Sequence, residues 1–370
     1  MKTMKSLPSA MAAVVLTGHG DLDKLVYCED FPVPVPAPGE VLIEVAACGL
    51  NNTDVWVRQG AYGTDDNPDA VASWRRSASE ETLTFPRVQG ADSVGRIVAV
   101  GADVSANRMG QRVMVDFSLY NDEGDSLADI DYIGHGRNGG FAEYLAVPDE
   151  NAHLVDNDLS DPELATFCCA YLTGEHMLDR AKVQADERVL ITGASGGVGS
   201  GLIQLCRARG AIPYALTSRI KLEAVKALGA QAVIDRDRPD LIEAVNYALE
   251  GHAVDVVADL VGGALFNPLL QLLRPEGRYT TAGAIGGPVV ELDLRTVYLK
   301  HLAIHGSSQG TRGAFERLMY YINTGKIKPI LDRQFKLSDF HQAQTYFMEK
   351  HFVGKVVVVP DTKWTDQASE

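Results

Sequence analysis

The chain has 370 residues, of which 46% are apolar and 22% charged, and its formal net charge is −15. This length exceeds what one hydrophobic core usually organises, so two domains are expected, and the composition excludes wholesale disorder. An acidic balance without a basic stripe argues against nucleic acid as a partner, because its phosphates would be repelled.

The apolar run MAAVVL near the start is short and leads directly into GHG. It predicts a first strand and not a signal peptide or a membrane span, so no membrane partner is expected. The cysteines are odd in number and lack C-x-x-C spacing, which is typical of a reducing compartment. They are Cys28, Cys48, Cys168, Cys169 and Cys206. We therefore expect a cytoplasmic protein.

Short strands separated by turns are predicted for the first part of the chain. The β-branched alternation in GEVLIEVAACG, GRIVAVG and QRVMVDF indicates three of them. Between the first two lies a polar stretch longer than compact domains usually tolerate without a purpose. We mark Gly63–Thr84 as an insertion.

From about Ser160 the pattern changes to an alternation of apolar strands and amphipathic helices with short connections. The strands are RVLITGA, PYALTS, QAVID, VDVVADLVGG and GRYTTAGA. This alternation predicts a doubly wound parallel sheet. A helix in GAFERLMYYINTG and a strand in GKVVVVP follow, too little to fold alone, and we expect both to return to the first domain. The predicted domains are 1–158, completed by 307–370, and 159–306.

The Gly-rich loop GASGGVG lies between a predicted buried strand and a predicted helix, the context that indicates a dinucleotide site. Gly196 lets the backbone approach a phosphate, and Gly199 lets the helix pack against the strand. The helix start near Val198 directs N–H groups and a partial positive charge at a pyrophosphate. The predicted contacts in this loop are Ala194, Ser195, Gly196, Gly197, Val198 and Gly199.

The second strand of this domain ends at Thr217 and Ser218 without the acidic residue that usually binds the ribose of NAD. Arg219 and Lys221 follow it, and Arg236 follows the third strand, so NADP(H) with its 2′-phosphate is favoured. The alternative is that Arg219 and Lys221 are a solvated helix start. The remaining predicted cofactor contacts are Gly283, Ala284 and Lys355.

Segments along nearly the whole chain resemble, in order, the medium-chain dehydrogenase/reductase superfamily. They are GEVLIEVAACGLNNTD, FPRVQGADSVGRIVAVG, GGFAEYLAVP, VLITGASGGVG and GKVVVVP. The resemblance implies an α/β protein in which a β-rich GroES-like catalytic domain, formed from both ends of the chain, accompanies a Rossmann domain. It also implies a homodimer formed through an edge strand of the Rossmann sheet.

The zinc alcohol dehydrogenases of this superfamily bind their catalytic metal through C-G-x-C-H-x-D and G-H-E. Asn51 stands at the position of the ligand Cys and Ala91 at that of the His. Cys169 falls near the third ligand, but a catalytic zinc needs three protein ligands. We therefore expect no metal, and we expect Cys169 to be a small buried apolar residue.

The stretch from Gly49 to Tyr62 instead resembles the motif G-x-N-x-x-D-x-x-x-R-x-G-x-Y of the quinone oxidoreductase branch. That branch is zinc-free and uses NADPH to reduce quinones or the C=C bond of α,β-unsaturated carbonyls. The resemblance implies that Asn51, Tyr62 and Thr173 surround the nicotinamide and a carbonyl or quinone substrate. The Asn51 amide, the Tyr62 hydroxyl or the cofactor's own ribose hydroxyl would donate hydrogen bonds to a developing enolate. Tyr62 or a water would protonate the α-carbon.

Structural alternatives stay open for each of these residues. Asn51 is also a typical cap of a turn or helix, and Asp54 and Arg58 are spaced for a helical ion pair. Tyr62 and Thr173 are also compatible with packing roles. The insertion is either a lid near the substrate or a solvated loop. The other functions considered are an alcohol or aldehyde dehydrogenase and a NADPH-binding protein without turnover.

Overall fold

The computed structural model describes residues 7–62, 83–120, 127 and 130–365. The predicted insertion Gly63–Thr84 lies outside these ranges except for its last two residues, so both alternatives, a lid or a solvated loop, stay open. No helix in the described ranges is both long enough and apolar enough to cross a lipid bilayer.

Internal contacts divide the chain into two compact units. The first unit comprises Met1–Cys169, Leu331–His351 and Lys355–Glu370, and the second comprises Ala170–Ile330 and Phe352–Gly354. Both ends of the chain therefore contribute to the first unit.

Short strands dominate the first unit up to residue 169. The strands are β1 (Ala10–Leu16), β2 (Leu25–Pro32), β3 (Glu40–Gly49), β4 (Arg87–Val88), β5 (Asp92–Val100), β6 (Arg112–Val115), β7 (Ser118–Leu119), β8 (Asp131–Tyr132), β9 (Tyr144–Pro148) and β10 (Ala152–Leu154). The helices in this part are α1 (Asn52–Arg58) and α2 (Asp161–Leu164).

Strands and helices alternate through the second unit, which the chain enters along α3 (Cys168–Arg180). The strands are β11 (Arg188–Ile191), β12 (Ile212–Thr217), β13 (Ala232–Asp235), β14 (Val254–Asp259), β15 (Leu273–Thr281) and β16 (Ala303–Gly306). The helices are α4 (Gly197–Ala208), α5 (Leu222–Ala227), α6 (Leu241–Ala248), α7 (Phe266–Leu272), α8 (Leu294–Leu299) and α9 (Arg312–Asn323). The chain then returns to the first unit through β17 (Leu331–Lys336), α10 (Phe340–Glu349) and β18 (Lys355–Val359).

A mixed sheet forms the centre of the first unit. Among the described residues it has seven strands in the order β10-β6-β5-β3-β18-β17, with β9 also paired to β3. All five residues of β18, KVVVV, are buried, because this strand lies between β3 and β17. The terminal strand thus joins the first unit, and smaller sheets β2-β1-β4 and β7-β8 complete the described part of it.

The second unit contains a parallel sheet whose described strands number six, in the order β13-β12-β11-β14-β15-β16. Near-continuous apolar runs such as RVLI and VDVVAD suit strands that helices cover on both faces. The strand order reverses between β11 and β14, and ligands of open α/β sheets bind outside the carboxyl ends at that point. The predicted fold class, a doubly wound α/β sheet together with a β-rich domain in one chain, is confirmed.

Helix α9 corrects the predicted return of the chain to the first unit. We expected this helix to accompany the terminal strand, with a boundary at 306, but its contacts place it in the second unit, which extends to Ile330. Its apolar face is buried, and the Arg317 guanidinium lies 3.0 Å from the buried Glu175 carboxylate of α3. The start of the second unit likewise falls at Ala170 and not at residue 159.

Candidate functional site

The Gly-rich loop joins β11 to α4 at the carboxyl edge of the parallel sheet. Gly193 has a φ of 57°, in the left-handed region that glycine adopts without steric cost. A Cβ on Gly199 would lie 2.3 Å from the Gly193 carbonyl oxygen and 2.7 Å from the Ala194 Cα. The helix can therefore begin this close to the strand only because Gly199 lacks a side chain.

The start of α4 offers backbone donors to an anion. Gly196 is its N-cap, and no side chain caps it. The Ser200 N–H donates to the Gly196 carbonyl at 2.8 Å, so the N–H groups before it in the helix have no acceptor within the helix. Beside this turn, at the end of β12, the buried Thr217 Oγ1 has no hydrogen-bond partner within the described chain. The free N–H groups at the start of α4 and the unpartnered Thr217 hydroxyl fit a dinucleotide.

Basic side chains follow the ends of β12 and β13. Arg219 is 82% exposed, and its Nε donates to the Asp235 carboxylate at 3.0 Å. Arg236 lies 3.5 Å from the Asp237 carboxylate, and the Lys221 ammonium donates to the Phe352 carbonyl at 2.8 Å. The structure therefore places all three predicted basic residues in the second unit, with Lys221 held by a backbone carbonyl.

Asp235 was missed by the sequence reasoning, because it ends the third strand and not the second. Hydrogen bonds from the Asp237 N–H and then from Arg219 lower the pKa of the Asp235 carboxyl, so it is ionised. Its contact uses the Nε of Arg219 and not the terminal Nη groups.

The loops after β14 and β15 are hydrogen-bonded to each other. The Gly286 N–H donates to the Val261 carbonyl at 2.7 Å, and the Gly263 N–H donates to the Gly287 carbonyl at 3.1 Å. Gly283 and Ala284, both predicted cofactor contacts, lie in the second of these loops. They follow a strand at the carboxyl edge, where a dinucleotide would bind.

Asp259 organises this edge of the sheet and was also missed from the sequence. Its buried carboxylate accepts hydrogen bonds from the Thr192 and Tyr279 hydroxyls, and from the N–H groups of Val261 at 2.9 Å and Gly262 at 3.0 Å. The sequence did contain a signal for Asp259, because it is an acidic residue at the end of a predicted buried strand, shortly before Gly262 and Gly263.

A buried cation lies in the first unit where β3, β5 and β18 meet. The Lys355 ammonium donates to the Leu50 carbonyl at 2.7 Å, to Asn51 Oδ1 at 2.6 Å and to Asp92 Oδ2 at 2.6 Å. Burial acts to lower the pKa of Lys355, but Asp92, Cys169 and Asp54 together outweigh it, and the pKa is raised. An ammonium has three N–H donors, and all three are engaged by these acceptors, while the predicted contact of Lys355 with the cofactor stays a prediction.

Asn51 is the N-cap of α1, as its structural alternative predicted. Its backbone N–H donates to Asp54 Oδ2 at 2.7 Å. Burial raises the pKa of Asp54 to about 7, although the Asn51 N–H and Lys355 act in the opposite direction. The expected ion pair between Asp54 and Arg58 is not formed, because the Arg58 guanidinium donates instead to Gln344 at 2.9 Å and to the Gly20 carbonyl at 2.6 Å.

Tyr62 ends the first described range and lies in the first unit. Its ring packs edge-on against Trp56 with centroids 5.9 Å apart, and its hydroxyl is hydrogen-bonded to Thr53. Burial raises the pKa of Tyr62, so its hydroxyl keeps its proton at neutral pH. Thr173 is buried in α3 and belongs to the second unit, so its shared site with Asn51 and Tyr62 stays a prediction.

The positions of the zinc ligands do not fit a metal. Ala91 is buried and has no donor atom, and Asn51 is hydrogen-bonded to Lys355. Cys169 is half-buried, less than expected, and its backbone N–H donates to Asp92 Oδ1 at 2.6 Å. Across the described ranges, no group of three or more His, Cys, Asp or Glu side chains is placed to hold a metal ion.

Comparisons with known proteins agree with this geometry. Residues 37–157 match the alcohol dehydrogenase GroES-like domain, and residues 197–324 match the zinc-binding dehydrogenase family. The crystal structure of a provisionally assigned alcohol dehydrogenase from Sinorhizobium meliloti 1021 is 66% identical, with a TM-score of 0.93 over 97% of this chain and 99% of that chain.

Two curated relatives differ in the cofactor and substrate that their names give. The NADPH-dependent alkenal/one oxidoreductase of Arabidopsis thaliana chloroplasts is 29% identical over 96% of this chain and 81% of its own. The NAD-dependent alcohol dehydrogenase of Sulfurisphaera tokodaii is 27% identical over 92% of this chain and 98% of its own.

The parallel sheet, its glycine-rich loop and these matches define a nicotinamide-dependent oxidoreductase. The chain belongs to the medium-chain dehydrogenase/reductase superfamily.

Proposed function

We propose that this protein is an NADPH-dependent reductase that transfers hydride, without zinc, to a quinone or to the C=C bond of an α,β-unsaturated carbonyl. The observation that carries the proposal is the hydrogen bond from the buried Lys355 ammonium to Asn51. Asn51 stands at a position where the zinc relatives have a metal ligand. Without a Lewis acid, interconversion of alcohol and ketone loses its main driver. Reduction of an activated alkene needs only hydrogen-bond donors for the enolate oxygen.

The first unit supplies such donors. When bound, the reduced nicotinamide supplies the hydride. The Asn51 amide and the protonated Tyr62 hydroxyl donate to the substrate oxygen. Tyr62 or a water delivers the proton to the α-carbon. The likeness to the Arabidopsis alkenal/one oxidoreductase supports this substrate class.

A substrate panel tests the proposal. We expect NADPH oxidation with quinones and enones, and transfer of deuterium from 4-deuterated NADPH to the β-carbon of the enone product. Turnover confined to alcohols or aldehydes with the oxidised cofactor would favour an alcohol dehydrogenase. Tight NADPH binding with no turnover across the panel would favour a non-catalytic binding protein.

We further propose that NADP(H) is preferred to NAD(H), since no carboxylate ends β12 and Arg219 presents its Nη groups. Arg219→Ala is expected to raise the Kd for NADPH about 10- to 100-fold, because charge-assisted hydrogen bonds to phosphate contribute roughly 1.5–3 kcal/mol. The Kd for NADH should stay within about twofold, as measured by calorimetry. Arg96→Ala, which removes an exposed guanidinium from the first unit, is the control. Equal wild-type affinity for both cofactors would contradict the proposal.

Zinc independence is a second expectation of the proposal. Purified protein should contain no stoichiometric zinc by elemental analysis, and its reductase activity should persist after dialysis against a chelator, because Asn51 and Ala91 cannot supply the ligand set. One zinc per chain, or loss of activity that zinc restores, would contradict it.

We also propose a homodimer that forms through β16, the last strand in the order of the parallel sheet. Exposed apolar side chains precede and occupy it, a pattern that marks an interface. They are Val289, Leu294, Tyr298, Leu299 and Ile304. Light scattering should give twice the mass of one chain, and Leu299→Asp should shift it to monomer. Val26→Asp, at an exposed apolar position of β2, should leave the mass unchanged.

A further inference from the structure

We propose that Lys355 is a positioning residue that fixes the Asn51 amide as a hydrogen-bond donor, so that a buried ion cluster takes the place of the metal. The cluster consists of Lys355, Asp92 and Asn51. This inference rests on the proposed function, because it makes Asn51 the donor to the substrate oxygen.

The cluster is a closed set of short hydrogen bonds within the first unit. The three acceptors of Lys355 lie 2.6–2.7 Å from its ammonium, and its side chain is only 3% exposed. The opposite oxygen of Asp92 accepts the Cys169 N–H at 2.6 Å. One ammonium therefore ties together the end of β3 and the starts of β5 and β18, and Asp92 connects it to the start of α3.

The ammonium decides which way the Asn51 amide faces. An ammonium only donates, so its partner on Asn51 must be the oxygen, and the amide nitrogen is directed elsewhere. In the described chain that nitrogen contacts the Gly49 carbonyl at 3.4 Å, at the long limit of a hydrogen bond. The Nδ2 group thus keeps donor capacity for a substrate oxygen.

The cation also strengthens this donor. An amide whose oxygen accepts a hydrogen bond from a charged group is polarised, and its N–H bonds become better donors. In the zinc relatives the metal is bound at the positions of Asn51 and Ala91 and near that of Cys169. Here the positive charge is bonded to Asn51 and to Asp92, which adjoins Ala91 and accepts the Cys169 N–H. The charge acts on the substrate through the amide and not by direct coordination.

Asn51→Asp tests the donor without removing its partner. A carboxylate keeps an oxygen for Lys355 and remains a good N-cap, but it loses the N–H donor. We expect kcat for an enone to fall about 100-fold, the loss typical for removal of one oxyanion donor. The Kd for NADPH should stay within about twofold.

Asn52→Asp is a matched control. The side-chain oxygen of Asn52 also accepts from a lysine ammonium, that of Lys350, at 2.8 Å. The substitution Asn52→Asp makes the same chemical change one residue away from Asn51, and kcat should stay within about twofold of wild type.

The pair Lys355→Met with Asp92→Asn tests the positioning role. Removal of both charges avoids an unpaired buried carboxylate, so this double variant should fold. We expect kcat to fall at least about tenfold while NADPH affinity is retained, because the amide is no longer held in one orientation. An NMR spectrum gives a second readout. The side-chain amide signal of Asn51, identified by its loss in Asn51→Asp, should be single and sharp in wild type. The same signal should broaden or split in the double variant.

Three outcomes are separable. If the wild-type enzyme turns over neither quinones nor enones, the proposed function is overturned, whatever the variants do. Wild-type turnover with unchanged kcat in Asn51→Asp or in the double variant overturns the positioning role. Weakened NADPH binding in a folded double variant would also overturn it and return Lys355 to the cofactor site.

Discussion

Gly199→Ala is expected to weaken the binding of NADPH and NADH alike, by roughly 100-fold or more. The added Cβ would lie 2.3 Å from the Gly193 carbonyl oxygen, a backbone atom that cannot rotate away. Relief therefore requires a displacement of the loop or of the start of α4, and the N–H groups that are expected to bind the pyrophosphate would move with it. Calorimetric titration with each cofactor measures the effect.

Gly313→Ala is the control for this substitution. Gly313 lies inside α9 of the same unit, and its nearest neighbour for a new Cβ is a side-chain atom of Arg317 at 3.8 Å. Alanine should stabilise that helix slightly and leave both dissociation constants unchanged. Cofactor binding by Gly199→Ala at wild-type affinity would show that the loop does not seat the dinucleotide.

Asp259→Ala is expected to lower the free energy of unfolding by roughly 3–5 kcal/mol. Its carboxylate accepts hydrogen bonds from two hydroxyls and two backbone N–H groups, and alanine would leave these buried donors without an acceptor. Denaturant unfolding followed by fluorescence measures the loss. Asp259→Asn keeps one oxygen and should remain folded, but with looser cofactor binding, since the loop after β14 loses an acceptor.

Asp255→Ala provides the comparison on the same strand. Asp255 accepts from the Arg188 N–H at 2.8 Å and from Arg274 at 2.6 Å, but its side chain is 15% exposed. Water can replace it there, and we expect a loss of about 1 kcal/mol. Equal losses at both positions would contradict a special role of the buried carboxylate.

The sequence predicted well the features that neighbouring residues determine. The loop Gly193–Gly199 is recognisable because its glycines, the strand before it and the helix after it are contiguous. The buried strands β11 and β14 appear as apolar runs for the same reason. In contrast, β17, LDRQFK, has no buried residue and no apolar alternation, so it was not predicted.

Contacts between distant residues were beyond this reasoning. Asp92 and Lys355 are separated by 263 positions, and Thr192 and Asp259 by 67. Composition and periodicity describe what one segment tends to do, whereas these pairs exist only once the sheets have formed. The sequence alone accordingly did not indicate that Lys355 is hydrogen-bonded to Leu50, Asn51 and Asp92 in the first unit.

The position of β18 has a consequence for biosynthesis. This strand pairs with β3 inside the mixed sheet, yet it is translated after the entire second unit. In a nascent chain that already contains β3 and β5, the sheet must therefore stay incomplete until residue 355 leaves the ribosome. Until then, the Asp92 carboxylate also lacks the Lys355 ammonium as its partner. A premature stop a few codons before Lys355 would thus remove an interior strand of the sheet and its buried counter-charge, and not a dispensable tail.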